Sequence, residues 1–264
     1  MKQRIITGLI GGAAFIALTI VGGWFYFALL LLLAIIGFME YRRMNGVNAI
    51  HPLSLIGLAG TLVLFIPWDE FGLDNPAAIH MIWLLLFLLL TITVLTKNVI
   101  TIDGAALMLL GAIYVGYGFH AMFEVRNADN HGLFTTCMAF GAIWASDIGA
   151  YFTGRAFGKR KLWPSISPNK TIEGSIGGVV LSLAIAVIFA LAYPDIITVG
   201  RALLIGLIAA VAGQLGDLIQ SAYKRVRGIK DTGSILPGHG GVLDRCDSWL
   251  VVFPLLVMTG LLPL

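Results

Sequence analysis

Charged residues are scarce in this chain. Asp, Glu, Lys and Arg make up 12% of its 264 residues, whereas soluble globular domains carry about 25%. Hydrophobic residues make up 58%, and the mean hydropathy is +0.92. These values exclude an ordinary soluble domain and predict an all-α, polytopic integral membrane protein.

Cysteine is also rare, and neither sign of charge dominates. The topology derived below places the two cysteines, Cys137 and Cys246, on opposite sides of the membrane, which excludes a disulfide framework. The formal net charge of +3 gives no support for a nucleic-acid partner. The sequence contains no GxxxxGK[ST] loop, internal repeat or low-complexity linker. We therefore interpret residues 1–264 as a single integral membrane domain.

Nine apolar stretches approach the length of about 20 residues that a bilayer span requires. They cover roughly residues 5–22, 24–39, 53–68, 78–96, 104–123, 133–154, 175–193, 202–222 and 248–263. With a cytoplasmic N-terminus, 15 of the 17 Lys and Arg residues fall on the inner side. Because basic residues are concentrated in cytoplasmic loops, we expect about nine transmembrane helices in that orientation.

Polar chemistry is concentrated in the second half of the chain. Residues 1–130 are chemically quiet and are predicted to form scaffold and lipid-facing spans, whereas 131–264 form a catalytic half with a cytoplasm-facing site. The densest stretch is 221–248. Its charged residues and histidine are Lys224, Arg225, Arg227, Lys230, Arg245, Asp231, Asp244, Asp247 and His239.

Two predicted spans contain a carboxylate. Asp147 lies in the sixth span, and burying such a charge in the bilayer costs on the order of 2.5–3.5 kcal/mol. In the eighth span, Gln214, Asp217, Ser221 and Lys224 are spaced three, four and three residues apart, which places them on one helical face. Two carboxylates at matching depth repel each other unless a cation lies between them. Asp147 and Asp217 are therefore candidates for function.

The polar residue types indicate a metal and a phosphate ligand. Four acids without a Cys or His cluster indicate a hard cation, Mg²⁺ or Mn²⁺, rather than zinc; they are Asp147, Asp217, Asp244 and Asp247. The basic residues suit phosphates, and Lys170 precedes a predicted helix start that favours anions. We predict metal-dependent phosphoryl or nucleotidyl transfer to a lipid at the cytoplasmic membrane surface; these patterns do not name the nucleotide.

The polar pattern of 221–247 resembles the signature of phosphatidate cytidylyltransferases, also called CDP-diacylglycerol synthases. It runs Ser221-x2-Lys224-Arg225-x4-Lys230-Asp231-x-Gly233-x2-Leu236-Pro237-x-His239-Gly240-Gly241-x2-Asp244-Arg245-x-Asp247. Segments 146–151 and 167–174 are also similar to that family, so the resemblance covers about residues 133–264. Tyr223 and Cys246 stand where an aliphatic residue or Phe is expected, and they leave the polar pattern intact.

The resemblance implies that CTP and phosphatidic acid give CDP-diacylglycerol and pyrophosphate, with Mg²⁺ as one ion or a pair and Mn²⁺ as a substitute. The implied catalytic residues are Asp217, Asp244, Lys224 and His239. The implied substrate-binding residues are Lys170, Ser221, Arg225, Lys230, Asp231, Gly240, Gly241 and Arg245. The implied metal ligands are Asp217 and Asp244, with Asp147 and Asp247 completing the shell. Two roles are open for Asp231: orienting Lys230 or the loop, which is favoured, and binding metal.

Two alternative functions stay open. A CTP-dependent polyprenol or dolichol kinase would share the membrane placement and the nucleotide, and a cation-coupled transporter would use Asp147 and Asp217 as ion sites. Transporters are typically built from internal repeats, which this chain lacks. The chain is compact and has no long soluble N-terminal tail, so we expect a bacterial inner (plasma) membrane protein. A homodimer is left open.

Overall fold

The computed structural model describes residues 2–128, 130–235 and 240–263, with side chains described from residue 8 onward, and these parts are mainly helical. They contain ten α-helices and a short 3₁₀ helix, Trp68–Phe71. The α-helices are α1 (Lys2–Val21), α2 (Gly23–Met44), α3 (Pro52–Phe65), α4 (Ala78–Leu95), α5 (Ile102–Asn127), α6 (Gly132–Phe157), α7 (Ile172–Ala192), α8 (Val199–Val226), α9 (Leu243–Cys246) and α10 (Trp249–Thr259). The predicted all-α class is confirmed.

Each of the nine predicted spans coincides with one helix, α1 to α8 or α10. Six of these helices, α2 and α4 to α8, are long and apolar enough to cross a membrane. The apolar part of α1 (Gly8–Val21), α3 and α10 are shorter. A polytopic membrane protein is thereby confirmed, while the count of nine crossings and the cytoplasmic N-terminus stay predictions.

A small β-hairpin precedes α7, and the sequence patterns did not predict it. Strands β1 (Lys161–Trp163) and β2 (Ser167–Thr171) pair antiparallel, with Lys161 opposite Thr171. The Thr171 hydroxyl accepts a hydrogen bond from Gly174 N at 3.1 Å and so caps the N-terminus of α7. The hairpin therefore carries its polar residues directly to the start of α7.

The chain divides into two compact units. The N-terminal unit comprises Met1–Glu124 and Ile229–Arg245, and the C-terminal unit comprises Val125–Gly228 and Cys246–Leu264. Unlike the predicted boundary at residue 130, this division groups the segment 229–245 with the first five helices. The assignment of 1–264 to a single domain stays a prediction.

Glycines allow close helix packing inside each unit. In the N-terminal unit, a β-carbon at Gly116 of α5 would lie 2.6 Å from the Thr61 carbonyl oxygen of α3. In the C-terminal unit, a β-carbon at Gly178 of α7 would lie 2.7 Å from the Ser146 carbonyl oxygen of α6. Real β-carbons do not approach oxygen so closely, so both helix pairs depend on glycine. Small residues therefore serve close helix packing at these two positions.

Candidate active site

Asp217 of α8 forms an ion pair within a cluster of polar side chains in the C-terminal unit. Lys170, the fourth residue of β2, pairs with Asp217 Oδ2, and the two side chains are 27% and 38% exposed. The Ser221 hydroxyl, one turn further along α8, donates to Asp217 Oδ1 at 3.4 Å. Both carboxylate oxygens therefore have a partner, and the structure brings Lys170 to the helical face on which the sequence had placed Asp217 and Ser221.

Asp247, in the turn before α10, shares an electrostatic environment with this pair. Burial, and then the charges of Asp217 and Asp147, raise the pKa of the Asp247 carboxyl to about 7. The Ser248 N–H, which donates to Asp247 Oδ1 at 2.8 Å, and the Lys224 ammonium oppose this rise in pKa. The charges of Asp217 and Asp147 are thus near enough to Asp247 to disfavour its charged form.

Gln214, one turn before Asp217 on α8, fixes two neighbouring helices. Its Nε2 donates to the Ser146 hydroxyl of α6 at 3.2 Å and to the Ser175 carbonyl of α7 at 3.2 Å. Its Oε1 accepts from the Ser175 hydroxyl. Because Ser146 directly precedes Asp147, these bonds hold the segment of α6 that carries Asp147 against α8.

The turn that carries Asp247 is held against the same helix. The Ser248 hydroxyl donates to the Gly213 carbonyl at 3.0 Å. A β-carbon at Gly216 would lie 2.6 Å from the Asp247 carbonyl oxygen. The α8 backbone therefore contacts this turn directly, which fixes the base of Asp247 beside Asp217.

Asp244 lies in the N-terminal unit and organises a loop. Its Oδ2 accepts from Thr232 N at 2.8 Å, the Thr232 hydroxyl at 3.0 Å and Gly241 N at 3.0 Å. Gly240 has φ of +82°, and a β-carbon there would lie 2.7 Å from Asp244 Oδ2 and 3.5 Å from Asp231 Oδ1. Backbone contacts thus set the orientation of Asp244, and its metal-binding role stays a prediction.

Glu40 of α2 also binds this loop, and the sequence reasoning missed it. Its side chain is buried, with 7% relative exposure. It accepts from the Thr232 hydroxyl at 3.0 Å, Val242 N at 2.9 Å and Leu243 N at 3.0 Å. The available signal was a lone acid near the end of an apolar helix. This acid lies within residues 1–130, which the sequence patterns indicate to be chemically quiet.

The other predicted site residues lie mostly on the surface of their own units. Arg225 is exposed, and its Nε donates to the Ile166 carbonyl at 3.3 Å. Lys230, Asp231 and Arg245 are exposed within the N-terminal unit. His239 lies outside the described residues.

The carboxylates of the C-terminal unit offer oxygen ligands of the kind that a magnesium ion requires. Within residues 2–128, 130–235 and 240–263, no group of three or more His, Cys, Asp or Glu side chains is arranged to hold a metal ion. Mg²⁺ is usually bound by one or two protein carboxylates, with water and substrate phosphates completing its shell. The donor chemistry around Asp217 fits such an ion, and the four-acid assignment stays a prediction.

Comparison with known proteins identifies the family. The model of the cytidylyltransferase family matches residues 2–262. The chain belongs to this family. Its similarity to the phosphatidate cytidylyltransferase of Bacillus subtilis (strain 168) is 44% identity, covering 97% of this chain and 96% of the relative. The phosphatidate cytidylyltransferases of Staphylococcus saprophyticus and Staphylococcus aureus (strain COL) are 40% and 38% identical, over 97% of this chain and of each relative.

These matches confirm the family inferred from the 221–247 pattern. They also extend it, because the cytidylyltransferase match includes the first half of the chain, where the sequence patterns indicated only a generic multi-span region. The relatives are named phosphatidate cytidylyltransferases, and the similarity covers nearly their whole length. They favour neither a polyprenol kinase nor a transporter.

Proposed function

We propose that this chain transfers the cytidylyl group of CTP to phosphatidic acid, giving CDP-diacylglycerol and pyrophosphate. The observation that carries the proposal is the charge cluster of the C-terminal unit, where Lys170 pairs with Asp217 beside Asp147, Asp247 and Lys224. Such a mixture of carboxylates and ammonium groups suits a nucleotide bound with a cation. The relatives' name supplies the lipid substrate and the nucleotide base.

The reaction requires positioning and charge neutralisation rather than covalent catalysis. A phosphate oxygen of phosphatidic acid attacks the α-phosphorus of CTP, and the bond from that phosphorus to the β-bridging oxygen breaks. Pyrophosphate leaves with the bonding electrons. The attacking phosphate is already an anion, so no general base is needed. Lys170, Lys224, Arg225 and Arg245 bind the phosphates and hold the reacting groups in line.

Magnesium dependence is part of the proposal. Asp217 and Asp244 would be metal ligands, with Asp147 and Asp247 completing or orienting the shell, for one ion or two. A bound ion would neutralise charge on the triphosphate and on the leaving pyrophosphate. Removing divalent cations should abolish turnover, and Mg²⁺ or Mn²⁺ should restore it.

The protein works in the inner (plasma) membrane of a bacterium, with its active site facing the cytoplasm. The relatives are bacterial, and the bias of Lys and Arg supports the cytoplasmic orientation of 155–170 and 224–245. A homodimer is the oligomeric state left open by the sequence, and mass measurement in detergent tests it.

Pyrophosphate release from purified protein tests the reaction. We expect release with CTP, phosphatidic acid and Mg²⁺, and a fall of about 10²-fold or more in kcat for Asp217→Asn, because the variant keeps the shape and loses the charge. Asp195→Asn, an exposed acid between α7 and α8, is the matched control and should retain full activity.

The outcomes separate the alternatives. Unchanged release by Asp217→Asn would shift metal binding to Asp147, Asp244 and Asp247. Turnover with a polyprenol, and none with phosphatidic acid, would replace the proposed activity with a lipid kinase activity.

A further inference from the structure

Glu40 attaches α2 to the 229–245 segment at Thr232 and at Val242 and Leu243. We call residues 232–233 and 241–244 the stem of this segment. Glu40 Oε1 accepts from Val242 N at 2.9 Å, and Oε2 accepts from Leu243 N at 3.0 Å and from the Thr232 hydroxyl at 3.0 Å. The carboxylate is buried, and all three donors are uncharged groups of the loop. A buried carboxylate is costly unless hydrogen bonds satisfy it, so Glu40 and the stem depend on each other.

The attachment joins both ends of the loop. Thr232 precedes the residues 236–239, and Val242 and Leu243 follow them. Asp244 makes a parallel connection, because its Oδ2 accepts from Thr232 N and Gly241 N. Two carboxylates from different parts of the chain therefore close one loop stem.

The Thr232 hydroxyl couples the two carboxylates directly. Its oxygen lies 3.0 Å from Glu40 Oε2 and 3.0 Å from Asp244 Oδ2. A hydroxyl has one hydrogen to donate, so it serves one carboxylate at a time. A shift of Glu40 would therefore change the hydrogen bonds that orient Asp244.

Two glycines allow the stem to approach Glu40. A β-carbon at Gly233, or one at Gly241, would overlap the Glu40 carboxylate. The absence of side chains at both positions leaves room for this carboxylate against the loop backbone. The contact between Glu40 and the stem thus depends on a glycine at both positions.

We propose that Glu40 is a positioning residue for cytidylyl transfer. From α2, its carboxylate holds the stem of 229–245 in the shape that orients Asp244 and presents Lys230 and Arg245. Glu40 itself touches neither substrate nor metal. The part of this proposal that concerns turnover rests on the proposed function, whereas the part that concerns the loop does not.

The chemistry of the contact defines the variants. Glu40→Gln keeps the shape but replaces one acceptor oxygen with an NH₂ group, which cannot accept from Val242 N or Leu243 N. Glu40→Asp keeps the charge on a side chain that is shorter by one methylene. Thr61→Val is the matched control, because Thr61 is buried in α3 of the same unit and donates only within its helix, to the Gly57 carbonyl at 2.9 Å.

The full-length protein in detergent is examined by amide hydrogen exchange and by kinetics. For Glu40→Gln we expect exchange in the peptide 240–245 to rise by about tenfold or more, because Val242 N and Leu243 N bond to different oxygens of Glu40 and the NH₂ group leaves one of them without its acceptor. We expect kcat/KM to fall by about 10- to 100-fold, with partial recovery in Glu40→Asp. Thr61→Val should leave both quantities at the wild-type values.

Three results would overturn the proposal. The first is unchanged exchange of 240–245 in Glu40→Gln, and the second is turnover equal to wild type. The third is a general rise in exchange that includes α6, α7 and α8, which would make Glu40 a structural residue only. A wild-type protein inactive on phosphatidic acid would refute the proposed function, and the exchange measurement would still test the loop.

Discussion

Gln214 shows how much a single uncharged side chain contributes to this site. Its amide uses both donor and acceptor atoms to join α6, α7 and α8. It lies one turn from Asp217, and its partner Ser146 is adjacent to Asp147. The amide thus links the two helices that supply intramembrane carboxylates.

Replacing this amide should therefore lower stability. For Gln214→Leu, a change of similar volume, we expect the free energy of unfolding to fall by about 1–3 kcal/mol, since the polar groups of Ser146 and Ser175 lose their partner. Thermal unfolding in detergent provides the measurement. Leu215→Ala, at an exposed position on the same helix, is the control and should change stability far less. Equal thermal unfolding midpoints for Gln214→Leu and wild type would contradict a stabilising role of the Gln214 amide.

At the scale of elements, α8 organises the C-terminal unit. One face of the helix carries Gln214 and Asp217, and a second carries Gly213 and Gly216 against the turn before α10. The polar face was predicted from the spacing of its residues. The glycine face was not, because glycine in a membrane helix does not identify its neighbour.

The two glycines provide a matched test of that contact. In Gly216→Ala, the new methyl group would lie 2.6 Å from the Asp247 carbonyl oxygen, whereas in Gly213→Ala it would lie 3.7 Å from the nearest atoms. We expect Gly216→Ala to cost about 1–3 kcal/mol of unfolding free energy and to lower pyrophosphate release, because Asp247 is displaced from Asp217. Gly213→Ala should be tolerated. Equal unfolding free energies and equal pyrophosphate release in the two variants would show that α8 does not depend on the close contact between Gly216 and Asp247.

At the scale of the whole molecule, the division into units does not follow chain order. The segment 229–245 groups with α1 to α5, whereas the helices on either side of it belong to the C-terminal unit. The family signature is therefore shared between the two units. The N-terminal unit consequently contains polar residues of this pattern as well as apolar helices.

Membrane orientation is a prediction about the whole chain that labelling can test. In a background without the native cysteines, Ser165→Cys lies in the hairpin and Asp195→Cys lies between α7 and α8, both exposed. A membrane-impermeant maleimide applied to intact cells should label Asp195→Cys only, because the Lys and Arg bias puts the hairpin inside. After permeabilisation, both should react. Labelling of Ser165→Cys in intact cells would reverse the topology.

The sequence by itself determined the class, the positions of the apolar helices and the family. Apolar length is a local property, so each predicted span coincides with one helix, and the residues from Ser221 to Asp247 form a contiguous pattern that needs no folding to be recognised. The N-cap at Thr171 was predictable for the same reason. The hairpin was not, because β2 contains Pro168 and Asn169, which are depleted in strands.

Only the tertiary structure decided which polar groups meet. Lys170 could have served any anion, and packing of β2 beside α8 pairs it with Asp217. Glu40 and Thr232 are 192 residues apart, and nothing in either local sequence indicates the other. Such partners are selected by helix packing and by the cost of leaving a buried carboxylate without donors, and both effects arise only when the whole chain has folded.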